Sequence, residues 1–296
     1  SGFTRSRLLM PLVFAAALGG NLSLIGAPGN LIAQSALQNI GSGFGFFEYA
    51  KVGLPMLVCG ILYFLTIGYK FLPNNSNSSE VGSIGEQRDY SHVPRWKQIL
   101  SLVVLIATIL GMIFEKQTGI SLTVAGCIGA LVLVITGVLT EKQAYKAIDS
   151  QTIFIFGGTL ALAKALEMTG AGKLVADQVI GLLGNNSSPF MLLVVVFALS
   201  VVMTNFMSNT ATVALLVPVS LSIAAGMGAD PRAVLMATVI GSSCAYATPI
   251  GMPANMMVLS AGGYKFVDYA KSGIPLIIVS TIVSLILLPI LFPFHP

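Results

Sequence analysis

Long apolar segments, separated by short polar ones, cover most of the chain. Five of these segments predict helices that cross a lipid bilayer, whose core needs roughly 20 apolar residues. They are residues 52–72, 99–113, 120–139, 152–168 and 274–292. The pattern therefore predicts an all-α, polytopic membrane protein.

Two further apolar stretches, residues 7–36 and 232–261, are interrupted near their middle by glycine and proline. These residues release backbone N–H and C=O groups from the helical ladder. In hydrocarbon such groups are costly unless they are buried in protein or line a cavity. We therefore predict two broken helices. Their breaks mark a polar site that is shielded from lipid near the middle of the membrane. A simple kink is the alternative for either break taken alone.

The two broken segments resemble each other in sequence. IGAPGN at 25–30 matches IGMPAN at 250–255, and EYAKVGLP at 48–55 matches DYAKSGIP at 268–275. Each copy then continues into a long apolar helix. Two matching blocks in the same order indicate an internal duplication.

A third irregular stretch, residues 189–225, is apolar with the polar sequence TNFMSNT at 204–210 near its middle. A straight helix of this length, at about 1.5 Å per residue, would overshoot a bilayer core of about 30 Å. The chain must therefore double back. It forms either two crossings joined by a polar surface turn or a re-entrant hairpin, and the lack of charge at the tip favours the hairpin.

Either form returns the chain to the side that it left, so the broken helices run in opposite directions, as an inverted repeat. Most Lys and Arg residues fall on the side that holds Arg5 and Arg7. Basic loops mark the cytoplasmic side. We therefore expect the Arg5 and Arg7 end and residues 73–97 in the cytoplasm, and the C-terminus outside it.

Composition narrows the function classes. Only 9% of the residues are charged, whereas a soluble domain carries about 25%. The net charge of +4 comes from scattered basic residues, which does not favour nucleic-acid binding. The sequence shows neither a metal-ligand cluster nor a His–Asp–Ser arrangement, so we expect no enzyme and no cofactor.

The candidate site is neutral. Its side chains are the hydroxyls and amide at the hairpin tip, on Thr204, Ser208, Asn209 and Thr210. Backbone N–H and C=O groups at 26–30 and 251–255, which the breaks release from helical hydrogen bonding, complete the site. Oxygens of this kind suit a hard monovalent cation, whereas helix N-termini and N–H donors suit an anion. The sequence thus predicts a transport site that can hold both.

These motifs together resemble those of the divalent anion/sodium symporters of the ion transporter superfamily. The hairpin sequence TNFMSNTA at 204–211 is similar to that family's signature, and LIGAPGN at 24–30 and ATPIGMPAN at 247–255 are similar to its two unwound loops. The resemblance implies a dimer that carries a dicarboxylate, citrate or sulfate together with sodium by an elevator movement.

The resemblance also implies site residues. Substrate contacts would come from Ser208, Asn209, Thr210, Ala27, Pro28, Asn30, Met252, Pro253 and Asn255. One sodium would be held by Thr204, Asn209 and the backbone near Met207 and Gly251, and Gly26 with its neighbours would complete a second sodium site.

The resemblance further implies a division of the chain. Residues 1–72 and 186–296 would belong to the transport domain, and 73–97 would be a cytoplasmic linker. Residues 98–185 would supply scaffold helices, with an interfacial helix at 172–183.

Three departures from the family pattern qualify this picture. The family's first hairpin is missing, so we expect this chain to be a C-terminal part that does not transport alone. The unwound loops carry Ala27 and Met252 where carboxylate-moving members typically carry hydroxyls. Asn205 stands where many members have an acidic residue.

Two rival functions remain. A sodium/proton antiporter or arsenite-type permease shares the layout of the superfamily, although an antiporter needs a titratable carboxylate at depth. A membrane scaffold that does not transport is the other.

Overall fold

The computed structural model describes residues 5–73, 93–148, 150, 153–154, 157–158, 161, 165, 168–171, 174, 177–178, 181 and 188–294. Within these residues every regular element is a helix, which confirms the all-α prediction. Most of the linker, of the span at 152–168 and of the interfacial helix at 172–183 lies outside the described residues.

The described helices follow one another in this order along the chain: α1 (Arg5–Gly19), α2 (Pro28–Gln38), α3 (Ala50–Thr66), α4 (Arg95–Ile113), α5 (Glu115–Thr118), α6 (Leu122–Ile135), α7 (Glu141–Ala147), α8 (Pro189–Thr204), α9 (Asn209–Met227), α10 (Pro231–Ser242), α11 (Pro253–Ala261) and α12 (Phe266–Leu291). By length and composition, α4, α9 and α12 can each cross a membrane.

Both predicted broken helices are present. The first consists of α1, a 3-10 turn at Gly20–Leu22 and α2. The second consists of α10 and α11, separated by residues 243–252. Pro28 and Pro253 open the second halves, a position where the missing proline N–H leaves no ladder bond unmade.

Helices α8 and α9 form a hairpin joined by residues 205–208. Its first arm has 16 residues, or about 24 Å, which is shorter than a bilayer core of about 30 Å. At the tip, Thr204 and Asn205 are buried, whereas Phe206 is 72% exposed. The second arm has 19 residues and is long enough to cross a membrane, so the re-entrant form stays a prediction.

Helix α10 lies at the centre of this part of the fold. Every residue from Ala233 to Ser242 is buried, because α8 and α9 both pack against the helix. Leu192 and Val196 of α8, Ile223 of α9 and Val234 of α10 share one apolar cluster. A helix that is apolar on all sides needs such complete burial.

Helix α12 begins at Phe266, earlier than the predicted start at 274. The N–H of Lys265 donates to Asp268 Oδ2 at 2.8 Å, which caps the helix at a polar turn. The apolar pattern detected only the part of α12 suited to the bilayer.

Helices α3 and α12, which follow the two broken helices, pack against each other. The hydroxyl of Tyr63 donates to Ser272 O at 3.0 Å, and Ser272 Oγ donates to Phe71 O at 2.9 Å. These hydrogen bonds join the first copy of the repeat to the second.

The chain divides into two compact units. One comprises Ser1–Gly82 and Thr152–Pro296, and contains both broken helices and the hairpin. The other comprises Ser83–Gln151. In the second unit α4 packs on α6, and Lys97 Nζ donates to Gly137 O at 2.6 Å.

Candidate functional site

The tip of the hairpin carries the polar side chains that the sequence singled out. Ser208 caps α9 by accepting a hydrogen bond from Ala211 N at 3.2 Å. Met207, Ser208, Asn209 and Thr210 are half-buried. The cap orients the first turn of α9, so Asn209 and Thr210 stand where the chain leaves the tip.

Oxygen atoms from three elements converge beside Asn209. One carboxamide position of Asn209 lies 2.8 Å from Thr204 Oγ1, 3.0 Å from Gly251 O and 3.2 Å from Ser242 O. The Thr204 hydroxyl also donates to Ser242 O. Hairpin, α10 and the second unwound loop therefore each contribute to one polar cluster.

The chemistry of this cluster depends on which amide atom faces it. With nitrogen in that position, Asn209 has two N–H groups to donate and three acceptors within 3.2 Å. With oxygen there, the Asn209 oxygen meets two carbonyl oxygens and one hydroxyl, a set that a cation would hold together. Hard cations take oxygen ligands of this kind, and released carbonyls near helix breaks coordinate sodium in transporters.

Side chains of the second unwound loop and of the start of α11 hold this loop by hydrogen bonds. Asn255 Nδ2 donates to Ala245 O at 2.9 Å and to Thr248 O at 3.0 Å. Thr248 Oγ1 accepts from Gly251 N at 3.2 Å. Helix α11 starts behind Met252, which gives it no side-chain cap. Pro253 has no N–H and Asn255 N donates to Met252 O at 3.0 Å, so the N–H of Ala254 is the one that is left for another acceptor.

The first unwound loop repeats this arrangement at matching positions. Asn30 Nδ2 donates to Gly20 O at 3.2 Å and to Ser23 O at 2.9 Å. Ala27 precedes α2 without a side-chain cap, as Met252 precedes α11. The carbonyl of Gly20 lies so close to Gly26 that a β-carbon there would clash, which explains the glycine.

Tyrosines at the start of the long helices secure both copies. The hydroxyl of Tyr49 donates to Asn30 O at 3.3 Å, and that of Tyr269 donates to Asn255 O at 2.7 Å. Both tyrosines are fully buried. The matched hydrogen bonds show that the duplicated sequence blocks make the same local structure.

The predicted substrate residues divide into two groups. Ala27 and Met252 are half-buried, and Pro28 and Pro253 are exposed. Asn30 and Asn255 are fully buried, and their amide nitrogens bond loop carbonyls. Within the described part of the chain their Oδ1 atoms have no hydrogen-bond partner.

The fold brings both copies to the hairpin. Helix α2 packs against α9, and a β-carbon on Gly29 would lie 2.9 Å from Val213 Cγ2. Gly251 approaches the other side of the tip, where its β-carbon would lie 2.5 Å from Thr204 O. Of the predicted sodium residues, Thr204, Asn209 and Gly251 meet in the oxygen cluster, whereas Gly26 lies in the first loop beside Gly20.

The sequence interpretation gave no role to two contributors. Ser242 joins the cluster through its backbone carbonyl, which no side-chain pattern reveals. Asn205 has its Nδ2 3.2 Å from Cys244 O and its Oδ1 2.9 Å from Ala247 N. The sequence singled out Asn205 only as a departure from the family pattern.

Comparison with known proteins identifies relatives. A family model described as a citrate transporter matches residues 1–239 and, in a second alignment, residues 109–295. An uncharacterized transporter of Methanocaldococcus jannaschii is 30% identical over 289 residues, which cover 96% of this chain and 63% of that protein.

Two further relatives agree with this result. An uncharacterized transporter of Haemophilus influenzae is 28% identical, over 93% of this chain and 60% of its own length. The sodium-dependent dicarboxylate transporter of Staphylococcus aureus is 25% identical, over 97% of this chain and 58% of its own length. The chain spans less than two thirds of the length of each of these relatives.

Proposed function

The chain belongs to the citrate transporter family, whose members are transporters rather than enzymes, and we propose that the protein at its natural length is a sodium-coupled symporter of a divalent anion. A dicarboxylate, citrate or sulfate is the proposed substrate class. The sodium-dependent dicarboxylate transporter of Staphylococcus aureus supports the coupling ion.

The oxygen cluster around Asn209 carries this proposal. Thr204 Oγ1, Gly251 O and Ser242 O all lie within 3.2 Å of one atom of the Asn209 carboxamide. No group of three His, Cys, Asp or Glu side chains occurs in the described residues, and the oxygens at this cluster are neutral. A neutral oxygen set favours a monovalent cation over a transition metal.

Uncapped helix N-termini supply the anion-binding half of the proposal. Helices α2 and α11 begin behind Ala27 and Met252, whose side chains make no capping hydrogen bond. In each helix the proline has no N–H and the asparagine N–H donates to the carbonyl of Ala27 or Met252. The N–H of Gly29 or Ala254 is left, and together with the helix dipole it attracts negative charge at such positions. The Ser208 and Thr210 hydroxyls would complete the substrate site from the hairpin.

The proposal also includes an elevator movement of the transport domain. The matched hydrogen bonds of the two copies support an internal repeat. We propose that the repeat is inverted and that both copies travel with the hairpin as a transport domain. The scaffold would then come from residues 98–185, and two protomers would form the working dimer.

An uptake assay tests the coupling. The protein at its natural length is placed in liposomes, and uptake of radiolabelled succinate, citrate and sulfate is followed with an inward gradient of sodium or of choline. We expect one of these anions to enter only with sodium. If the uptake of succinate, citrate and sulfate were all independent of sodium, the proposal would be contradicted. A sodium/proton antiporter or an arsenite-type permease would then be the favoured function.

Thr204 provides the site-directed part of the test. Thr204→Val keeps the shape of the side chain and removes the hydroxyl from the cluster. We expect the half-saturating sodium concentration to rise by about 10- to 100-fold, as for other lost metal contacts. Thr66→Val is the matched control, because Thr66 is exposed and distant in sequence from the hairpin. An unchanged sodium dependence in Thr204→Val would remove Thr204 from the site.

A further inference from the structure

We propose that Asn205 is a positioning residue for the cation site, and that its neutral carboxamide sets the affinity for the coupling ion without touching it. This inference rests on the proposed function, because it assigns a cation to the cluster around Asn209. Asn205 directly follows Thr204 and is itself 6% exposed.

Every hydrogen-bonding group of the Asn205 side chain is used. Its Nδ2 donates to Val201 O at 2.8 Å and to Cys244 O at 3.2 Å. Its Oδ1 accepts from Ala247 N at 2.9 Å. Its backbone carbonyl accepts from Thr248 Oγ1 at 2.5 Å. The residue therefore links the last turn of α8 to three points in the second unwound loop.

These points lie between the two carbonyls that face Asn209. Ser242 precedes Cys244, and Gly251 follows Thr248. Residues 243–252 lie between the two helices, so their carbonyl directions depend on side-chain contacts, which Thr248, Asn255 and Asn205 supply. Asn205 provides such contacts from the hairpin, which also carries Thr204 and Asn209. It thereby fixes one group of cation ligands relative to the other.

A carboxamide at position 205 can hold the second unwound loop by both donating and accepting hydrogen bonds, whereas a carboxylate cannot. Two of its contacts are donations to carbonyl oxygens, and an ionised carboxylate only accepts. An aspartate would turn an oxygen toward Cys244 O and Val201 O, and it would also bury a charge. A leucine of similar size would remove all three side-chain hydrogen bonds without adding charge.

The experiment compares Asn205→Leu with the wild-type protein at its natural length. Uptake is measured against sodium concentration at saturating substrate, and then against substrate at saturating sodium. We expect the half-saturating sodium concentration to rise about tenfold or more, the equivalent of one lost hydrogen bond or slightly more. Maximal uptake at saturating sodium should stay within about twofold, because the ligands themselves are intact.

Two further variants make the test selective. Asn205→Asp should also weaken sodium binding, since it loses both donations. A lower half-saturating sodium concentration in Asn205→Asp would mean that the side chain acts on the ion by its charge. That result would overturn the positioning role. Asn39→Leu is the matched control, because Asn39 is exposed, and its sodium dependence should not change.

A second measurement covers variants that carry little activity. Sodium that binds the folded protein raises its melting temperature in detergent, so a sodium titration of melting reports affinity without transport. A wild-type protein that neither transports with sodium nor gains stability from it would overturn the proposed function. A wild-type protein that does both, beside an Asn205→Leu variant with the same sodium midpoint, would overturn only this inference.

Discussion

Single glycines determine how closely the broken helices lie against the long helices. A β-carbon on Gly53 of α3 would overlap the backbone carbonyl of Asn21, and one on Gly273 of α12 would overlap that of Tyr246. The two glycines match each other in the duplicated blocks. Each copy thus brings the backbone of its break into direct contact with the helix that follows.

Alanine at either glycine tests this contact. Gly53→Ala and Gly273→Ala should each destabilise the protein by about 1–3 kcal/mol or more, since the obstructing atom is rigid backbone. Gly19→Ala is the control, because a β-carbon there has no atom within 4 Å. Melting temperature and yield of monodisperse protein in detergent measure the effect. Equal stability of Gly53→Ala and Gly19→Ala would contradict the close approach.

Side chains at the breaks were predictable only where their chemistry is unusual for a membrane segment. Thr204, Asn209 and Gly251 stand out in apolar surroundings, so the sequence could bring them together as one site. Ser242 contributes a carbonyl, which every residue has. Asn30 and Asn255 stay predicted substrate contacts. The structure adds that both are buried and that their amide nitrogens bond loop carbonyls, since a free loop carbonyl needs a donor wherever water is excluded.

A tyrosine hydroxyl occupies the helical ladder of α1. Met10 N donates to Tyr264 Oη at 3.0 Å, and Tyr264 Oη donates to Ser6 O at 2.6 Å. In an uninterrupted helix that N–H and that carbonyl would pair directly. Pro11 lacks the next N–H. The first turns of α1 are therefore held by Tyr264, from the short connection between α11 and α12. Side-chain insertion of this kind bends helices.

Removal of this hydroxyl should have a moderate effect. Tyr264→Phe is expected to lower stability by about 1 kcal/mol, because Met10 N and Ser6 O can partly close on each other once the hydroxyl is gone. Tyr69→Phe is the control, since Tyr69 is 50% exposed. Both variants are compared by thermal melting in detergent. If Tyr264→Phe lowered the stability no more than Tyr69→Phe does, the inserted hydroxyl would not hold α1.

Elements were easier to predict than their contacts. Glycine and proline mark both breaks, and apolar length marks α4 and α12, because these signals are local. The polar tip at 204–210 predicted the hairpin for the same reason. The pairing of Tyr264 with α1 depends on residues that are more than 250 positions apart, and nothing local in either segment indicates it.

At the scale of the whole molecule, an ion pair joins the two copies. Arg232 Nη2, in the first turn of α10, pairs with Glu48 Oε1, just before α3. Glu48 Oε2 also accepts from Gly45 N at 2.8 Å, and the Arg232 guanidinium lies 5.8 Å from the Phe44 ring centre. The Glu48 side chain is 14% exposed, so water screens the pair only in part.

A double-mutant cycle measures this pair. Glu48→Gln and Arg232→Gln should each cost about 1–2 kcal/mol, less than in a fully buried pair because Arg232 is 33% exposed. The double variant should lose less than the sum of the two. Lys51→Gln is the control, since Lys51 is 53% exposed and 3.6 Å from the same carboxylate. Strict additivity would mean that the two charges do not interact.

The packing of α3 on α12 has a consequence for the history of the fold. These helices hold the same place in the two copies, and the inverted repeat proposed above would relate them by an approximate twofold axis. On separate chains this contact would be the isologous interface of a homodimer. A single-copy ancestor could have buried the same face by self-association. After fusion, each side would be free to diverge. Tyr63 now bonds Ser272, while the matching positions hold Val283 and Val52, which cannot form the mirror-image bond.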